Sequence, residues 1–268
     1  MNLQVLVSTM HQTDHSLLEK MNIHSDAIIV NQCDKNEFEE FEYKGRRIKF
    51  FSFAERGVGL SRNTALVRAT GDVCLFADDD VTYVDNYRDI ILKEFNDNPQ
   101  ADVIIFNVIS TNKERGIHTT SKWTRLHFYN CFRYGTVQIA IRTEQARKSN
   151  ISFSLLFGGG AKYCCGEDSL FIADCLKSRM RIYASPQTIG TVTQAESTWF
   201  KGYTDKYFID KGALYVCLSK RWTKLLCLQF AVRHRKMFEE HKTAFRAYTL
   251  MTIGAKQFKG RGDKAQEA

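Results

Sequence analysis

The chain has 268 residues, 44% of them apolar and 25% charged, with only two prolines; these values suit one packed globular unit, or one plus an appendage, and exclude a linker-rich or disordered chain. The whole formal excess of +8 lies in residues 220–268, where 12 Lys/Arg face 4 Asp/Glu, so a polyanionic partner would meet that end. Residues 1–8 carry no basic region of the kind a signal peptide has, no apolar run approaches the ~20 residues of a membrane span, and the eight cysteines include no Cys-x-x-Cys pair, so the expectation is a cytoplasmic protein with reduced thiols rather than a zinc protein.

Residues 3–8 form a short apolar run and predict a first strand, residues 17–21 a helix, and residues 27–30 a second strand. Two βα-type units this early point to a parallel α/β sheet. Residues 47–53 predict a third strand. Residues 60–70 carry Leu60, Thr64 and Val67 at helical spacing, with Gly71 as the stop. A fully apolar strand over 73–77 then ends in Asp78-Asp79-Asp80. A helix over 85–96 and a buried strand over 103–109 follow.

After Gly116 the pattern weakens into loops. Residues 136–141 predict a strand, 143–149 a short helix, Gly158-Gly159-Gly160 a flexible loop, and 167–177 a helix with Phe171, Ile172, Cys175 and Leu176 on its apolar face. Residues 181–184 and 188–193 predict two short strands. From Tyr203 onward the chain reads as mainly helical and increasingly basic. No internal repeat is present.

Three segments carry chemistry. Asp78, Asp79 and Asp80 are adjacent like charges at the end of a buried strand, where ligands gather in open α/β sheets. A hard divalent cation, Mg²⁺ or Mn²⁺, would offset their repulsion, because such ions take one or two carboxylates together with phosphate oxygens. Glu167 and Asp168 open a helix. Acids at that position serve as caps, but the glycines upstream also suit a site that closes on a substrate. Gly57-Val58-Gly59 leads into a helix whose first N–H groups could approach a phosphate, with Arg62 and Asn63 as further donors. Trp199, Phe200, Tyr203, Tyr207 and Phe208 form an aromatic cluster that suits either a sugar platform or core packing.

In order, these segments resemble glycosyltransferase family 2. Gly57 to Leu66 is similar to its sugar-nucleotide helix, Ala69 to Asp80 to its strand ending in a DxD motif, and Gly158 to Phe171 to its acceptor-side motif; the resemblance spans about residues 3–212. It implies a GT-A fold, a Rossmann-like mixed sheet flanked by helices, over 1–215, with a basic helical extension over 216–268. It implies an inverting transferase that uses a nucleoside-diphosphate sugar, with UDP the commonest carrier. Asp168 would be the base and Glu167 would orient the acceptor. Asp80 would hold the metal, Asp78 would face the ribose or base beside Asp79, and Arg62 would hold the nucleotide. Thr9 and Asp34 would line the base pocket. The sequence departs from the family at Ser8-Thr9-Met10, where Pro is usual, at Asn31-Gln32, where paired aspartates are usual, and at Gln194, near which many members carry a metal-binding His.

Two other classes fit parts of the pattern. Asp78-Asp79-Asp80-Val81-Thr82 matches the DxDx[TV] motif of haloacid-dehalogenase-like phosphatases, with Asp78 as nucleophile, although that motif ordinarily follows the first strand. A non-catalytic sugar-nucleotide-binding partner of a membrane complex is the other. The tail places Arg221, Lys224, Arg233, Arg235 and Lys236 among Trp222, Leu225, Leu226, Leu228 and Phe230, as an interfacial helix does. This implies a peripheral protein at the inner face of the membrane, with a glycan or lipid-linked glycan acceptor. No nucleic-acid reader motif is present.

Overall fold

The computed structural model describes residues 1–112, 115–194 and 202–264. The first half alternates strand and helix: β1 (Leu3–Met10), α1 (Leu17–Lys20), β2 (Asp26–Gln32), β3 (Glu37–Tyr43), β4 (Arg46–Phe53), α2 (Val58–Arg68) and β5 (Val73–Asp78). There follow β6 (Val81–Tyr83), α3 (Tyr87–Asp97), β7 (Val103–Ser110), β8 (Thr124–Arg125), β9 (Ile139–Arg142), α4 (Thr143–Lys148), α5 (Glu167–Lys177) and β10 (Ile182–Val192). Three helices close the chain: α6 (Asp205–Leu218), α7 (Thr223–Arg233) and α8 (Ala244–Lys264).

The strands form one mixed sheet in the order β3-β4-β2-β1-β5-β9-β7-β10-β6, with β8 pairing β10. Strands β4, β2, β1 and β5 are parallel. Helices cover both faces, which explains why β1 and β5 read as unbroken apolar runs rather than as alternation. Leu3, Val5 and Val7 point to the face packed by α1 and α3, with Leu17, Tyr87, Ile91 and Phe95. Leu6 and Phe76 point to the other face, against Leu66 of α2 and Phe171 of α5.

Connections leave β1 toward β2 on one side, while β5 lies on its other side. The order therefore reverses at β1, and the crevice at the carboxyl ends of β1 and β5 is where such a sheet takes ligands. Thr9 is the last but one residue of β1, and Asp78 ends β5.

Several elements differ from the sequence expectation. Residues 136–138 form a single 3₁₀ turn, and the strand begins at Ile139. The two strands expected over 181–193 are one strand, β10, whose register against β7 shifts between Ala184 and Thr188 and again before Gly190. Pro186 lies in that irregular stretch and has no N–H to give to a ladder. The edge strand β3 was not expected at all.

The three C-terminal helices form their own apolar cluster, including Phe208, Phe230, Phe238 and Met251. Helices α6 and α8 cross backbone to backbone at two glycines. A Cβ on Gly212 would collide with the Met251 carbonyl, and one on Gly254 with the Ile209 carbonyl. A second cluster ties this unit to α5 through Leu170, Ala173, Ala213 and Leu214. Helix α6 runs through residue 215, so the helical unit begins ahead of the basic stretch.

Candidate active site

Beneath the crevice lies an aromatic stack. Phe153 and Phe171 stack at 4.1 Å between centroids, and Phe76 meets them edge-on at 5.0 and 5.4 Å. Such pairs add about 0.5–1.5 kcal/mol each beyond their burial. Arg62, from the second turn of α2, lies over Phe153 at 5.4 Å. Its side chain is 5% exposed. Burial alone pulls its pKa down, but Asp78 and Glu167 outweigh that and the net shift is upward.

Arg62 joins two segments far apart in sequence. Nη2 donates to both oxygens of Asp78 at 2.8 and 3.2 Å, and Nη1 donates to Glu167 Oε1 at 3.1 Å. Its Nε is buried without a partner, and a buried N–H of this kind is costly unless something anionic reaches it.

The three adjacent aspartates diverge. Asp78 turns to Arg62. Asp79 accepts a hydrogen bond from Thr9 Oγ1 at 2.5 Å, and Gln12 in turn donates to Thr9 at 2.9 Å. Asp80 accepts the Gln194 backbone N–H at 3.1 Å, where Gln194 adopts a left-handed φ of 44°. Burial first, then Asp78, pushes the Asp80 pKa up. A carboxylate in that condition is relieved by a cation. Among the described residues no group of three His, Cys, Asp or Glu could hold a metal ion. A hard cation here would have one protein carboxylate, Asp80, and would need its remaining ligands from phosphate and water.

Glu167 and Asp168 begin α5, after Gly166 at φ 115°. Glu167 faces the glycine loop so closely that a Cβ on Gly158 would come within 2.8 Å of its Cδ. Asp168 accepts the Ser169 N–H at 2.7 Å. Burial first, and then the Glu167 charge, raises its pKa from 3.8 to about 6.

A cavity of about 410 Å³ brings Arg62, Asp78, Asp80, Glu167, Asp168 and Gln194 together. Thr9 and Asp79, hydrogen-bonded to each other, do not line it. Asp34 does not line it: its side chain is 90% exposed and pairs with Arg56 at 2.8 Å. The expected phosphate-facing N–H groups of α2 are largely taken, since Gly57 N donates to Gln32 Oε1 at 2.7 Å and Val58 N to the Gly159 carbonyl at 2.9 Å. Gly59 instead permits close packing, because a Cβ there would sit 2.5 Å from the Ser154 carbonyl. Of the aromatic cluster, Tyr203, Tyr207 and Phe208 pack into the C-terminal helical core, whereas Trp199 and Phe200 lie outside the described residues. Sequence reasoning missed the opposite wall, His118, Arg133 and Tyr134. It comes from a segment without periodicity, and only the density of Arg and aromatic residues over 125–134 could have marked it.

Residues 7–155 match the glycosyl transferase family 2 profile. The chain belongs to glycosyl transferase family 2. This transferase therefore belongs among enzymes that use nucleotide sugars, and a phosphatase nucleophile at Asp78 finds no support. The match covers the Asp78–Asp80 segment but ends before Glu167 and Asp168. Solved structures agree on a GT-A fold. The transferase is similar to S. aureus TarS 1–349 in complex with UDP-GlcNAc, at 16% identity and a TM-score of 0.65, over 90% of this chain and 74% of that one. Against a longer form of S. aureus TarS the identity is 16% and the TM-score 0.60, over 88% of this chain and 44% of that one. The mannosyltransferase PcManGT from Pyrobaculum calidifontis, in complex with GDP-Man and Mn²⁺, is 13% identical with a TM-score of 0.50, over 94% and 73%. No curated protein matches the chain. No helix among the described residues is long and apolar enough to cross a membrane.

Proposed function

We propose that this family 2 transferase moves a sugar, with inversion, from a nucleoside-diphosphate sugar to an acceptor hydroxyl, and that Asp168 is the base. One observation carries the reading: a single cavity holds a carboxylate of raised basicity, Asp168, across from a diphosphate-suited set, Arg62, Asp78 and Asp80. At neutral pH a carboxyl of pKa about 6 is largely ionised, and it is a stronger base than an ordinary aspartate.

Asp168 takes the proton from the acceptor hydroxyl as its oxygen attacks the anomeric carbon. Glu167, held by Arg62, sets the acceptor side of the cavity. Arg62 turns its positive charge toward the departing diphosphate, and Asp78 fixes the guanidinium plane toward the ribose side. Thr9 and Asp79 brace that wall, with Asp34 further out toward the base. Asp80 would hold Mg²⁺ or Mn²⁺, which when bound supplies Lewis-acid stabilisation of the leaving group. The donor we favour is a UDP-sugar.

The acceptor we favour is a glycan or lipid-linked glycan at the cytoplasmic face of a membrane. Leu225, Leu228 and Val232 form an exposed stripe on α7 at helical spacing, flanked by Arg221 and Lys224, as in a helix that lies on an anionic surface. A panel of nucleotide sugars with Mn²⁺ tests the donor, because a ligand of the folded state raises the melting temperature. Asp168→Asn tests the base: transfer should fall by about 10²–10⁴ while donor binding persists, and near-wild-type turnover would refute the assignment.

A further inference from the structure

A second cavity, larger and more apolar, adjoins the catalytic one. It is a groove of about 670 Å³ between α7 and the 128–133 loop, walled by Phe128, Trp222, Leu225, Leu226 and Phe230. Phe132 and Arg133 line both this groove and the cavity that holds Asp168. The two spaces therefore share a wall at Phe132 and Arg133. We infer that the groove takes the single apolar chain of an acceptor linked to a lipid phosphate, with that phosphate at Arg133 and the hydroxyl-bearing end directed to Asp168; this rests on the glycosyltransferase reading above.

Three features select that occupant. The volume lies within the ~300–1,000 Å³ of pockets that enclose one small molecule, and it is not the extended face that a protein partner covers. The exposed wall is apolar: Trp222 and Leu225 are 53% and 55% exposed, as suits a surface that leaves water when a hydrocarbon chain arrives. The charge is complementary to an anion. Arg133 and Arg233 line the groove, and Arg221 and Lys224 flank it. None of these four has an ion-pair partner among the described residues, in contrast to Arg62 or Arg56. An unpaired guanidinium at the junction of an apolar groove and a catalytic cavity is placed to grip a phosphate by charge-assisted hydrogen bonds.

The test is isothermal titration of the full chain with farnesyl monophosphate below its micelle concentration, with farnesol and inorganic phosphate as comparison probes. Arg133→Gln and Leu225→Asn change exposed or groove-lining side chains that the core does not need. We expect farnesyl monophosphate to bind, farnesol to bind at least tenfold more weakly, and inorganic phosphate not to displace the lipid. Each variant should weaken lipid binding at least tenfold. Equal binding of alcohol and phosphate, or variants that bind as the wild type does, overturns the inference. So does attachment to phosphatidylglycerol vesicles without any binding of farnesyl monophosphate, since the surface would then serve a bilayer and not one chain. Nucleotide-sugar binding is read on the same protein. Donor binding without lipid binding sinks the groove alone, whereas lipid binding with no donor binding sinks the transferase reading on which the acceptor role rests.

Discussion

Replacing Asp168 with Asn should make the fold more stable at neutral pH while it disables transfer. The folded protein holds the Asp168 proton more tightly than the unfolded chain does, with a pKa raised from 3.8 to about 6 by burial and by Glu167. Ionised Asp168 therefore destabilises the fold fully above about pH 6, progressively less as pH falls, and not at all below 3.8. At about 1.4 kcal/mol for each tenfold change in acidity, the penalty has a ceiling near 3 kcal/mol. The Asn side chain keeps the shape but accepts the Ser169 N–H less strongly, so about 1–2 kcal/mol is the expected gain. For a chain of this size that is a rise of about 2–8 °C in melting temperature. Urea unfolding of both proteins at pH 5, 6 and 7.5 reads it directly. The gain should grow with pH up to about 6 and then level off. A variant no more stable than the wild type at pH 7.5, or a gain independent of pH, refutes the account of Asp168 as a half-buried, electrostatically strained acid.

Arg62→Met should cost about 3–5 kcal/mol in a denaturant titration, because it leaves Asp78 and Glu167 without their shared cation; a loss under 1 kcal/mol would mean that solvent already screens them. Gly254→Ala should destabilise the α6–α8 crossing by about 1–3 kcal/mol through overpacking, seen as a lower melting temperature with the site residues untouched, and an unchanged melt contradicts the backbone contact. Transfer should fall as pH drops through about 6, where Asp168 gains its proton, and a rate that stays level down to pH 4.5 argues against a carboxylate base. Removing divalent cations with EDTA, or Asp80→Asn in their presence, should weaken donor binding at least tenfold by titration calorimetry; equal affinity in all three samples removes Asp80 from that role.

Much of the fold was legible because its central strands are buried on both faces and so stand out as apolar runs: 3–8, 27–30 and 73–77. Strand β3 was not, because Glu37, Glu39, Glu40 and Glu42 load an exposed edge with charge, which protects an edge from pairing with other chains and hides its Phe38–Phe41 pattern. The expected site residues Arg62, Asp78, Asp80, Glu167 and Asp168 were visible as local motifs. Their connection was not: Arg62 and Glu167 are 105 positions apart, and no local pattern encodes a contact of that span. The directions of the three aspartates were equally hidden, since each is set by a tertiary partner, namely Arg62, Thr9 or the Gln194 backbone.

Arg62 has one guanidinium and answers to both sides of the cleft. A diphosphate that drew its charge away from the acceptor side would leave Asp168, whose pKa Arg62 lowers, less compensated and more avid for a proton. Thermodynamic linkage makes such an effect mutual: protonating Asp168 would change donor affinity by the same factor that donor binding changes the acidity of Asp168. Nucleotide-sugar affinity measured across pH would then report on the acceptor carboxylates with no acceptor present.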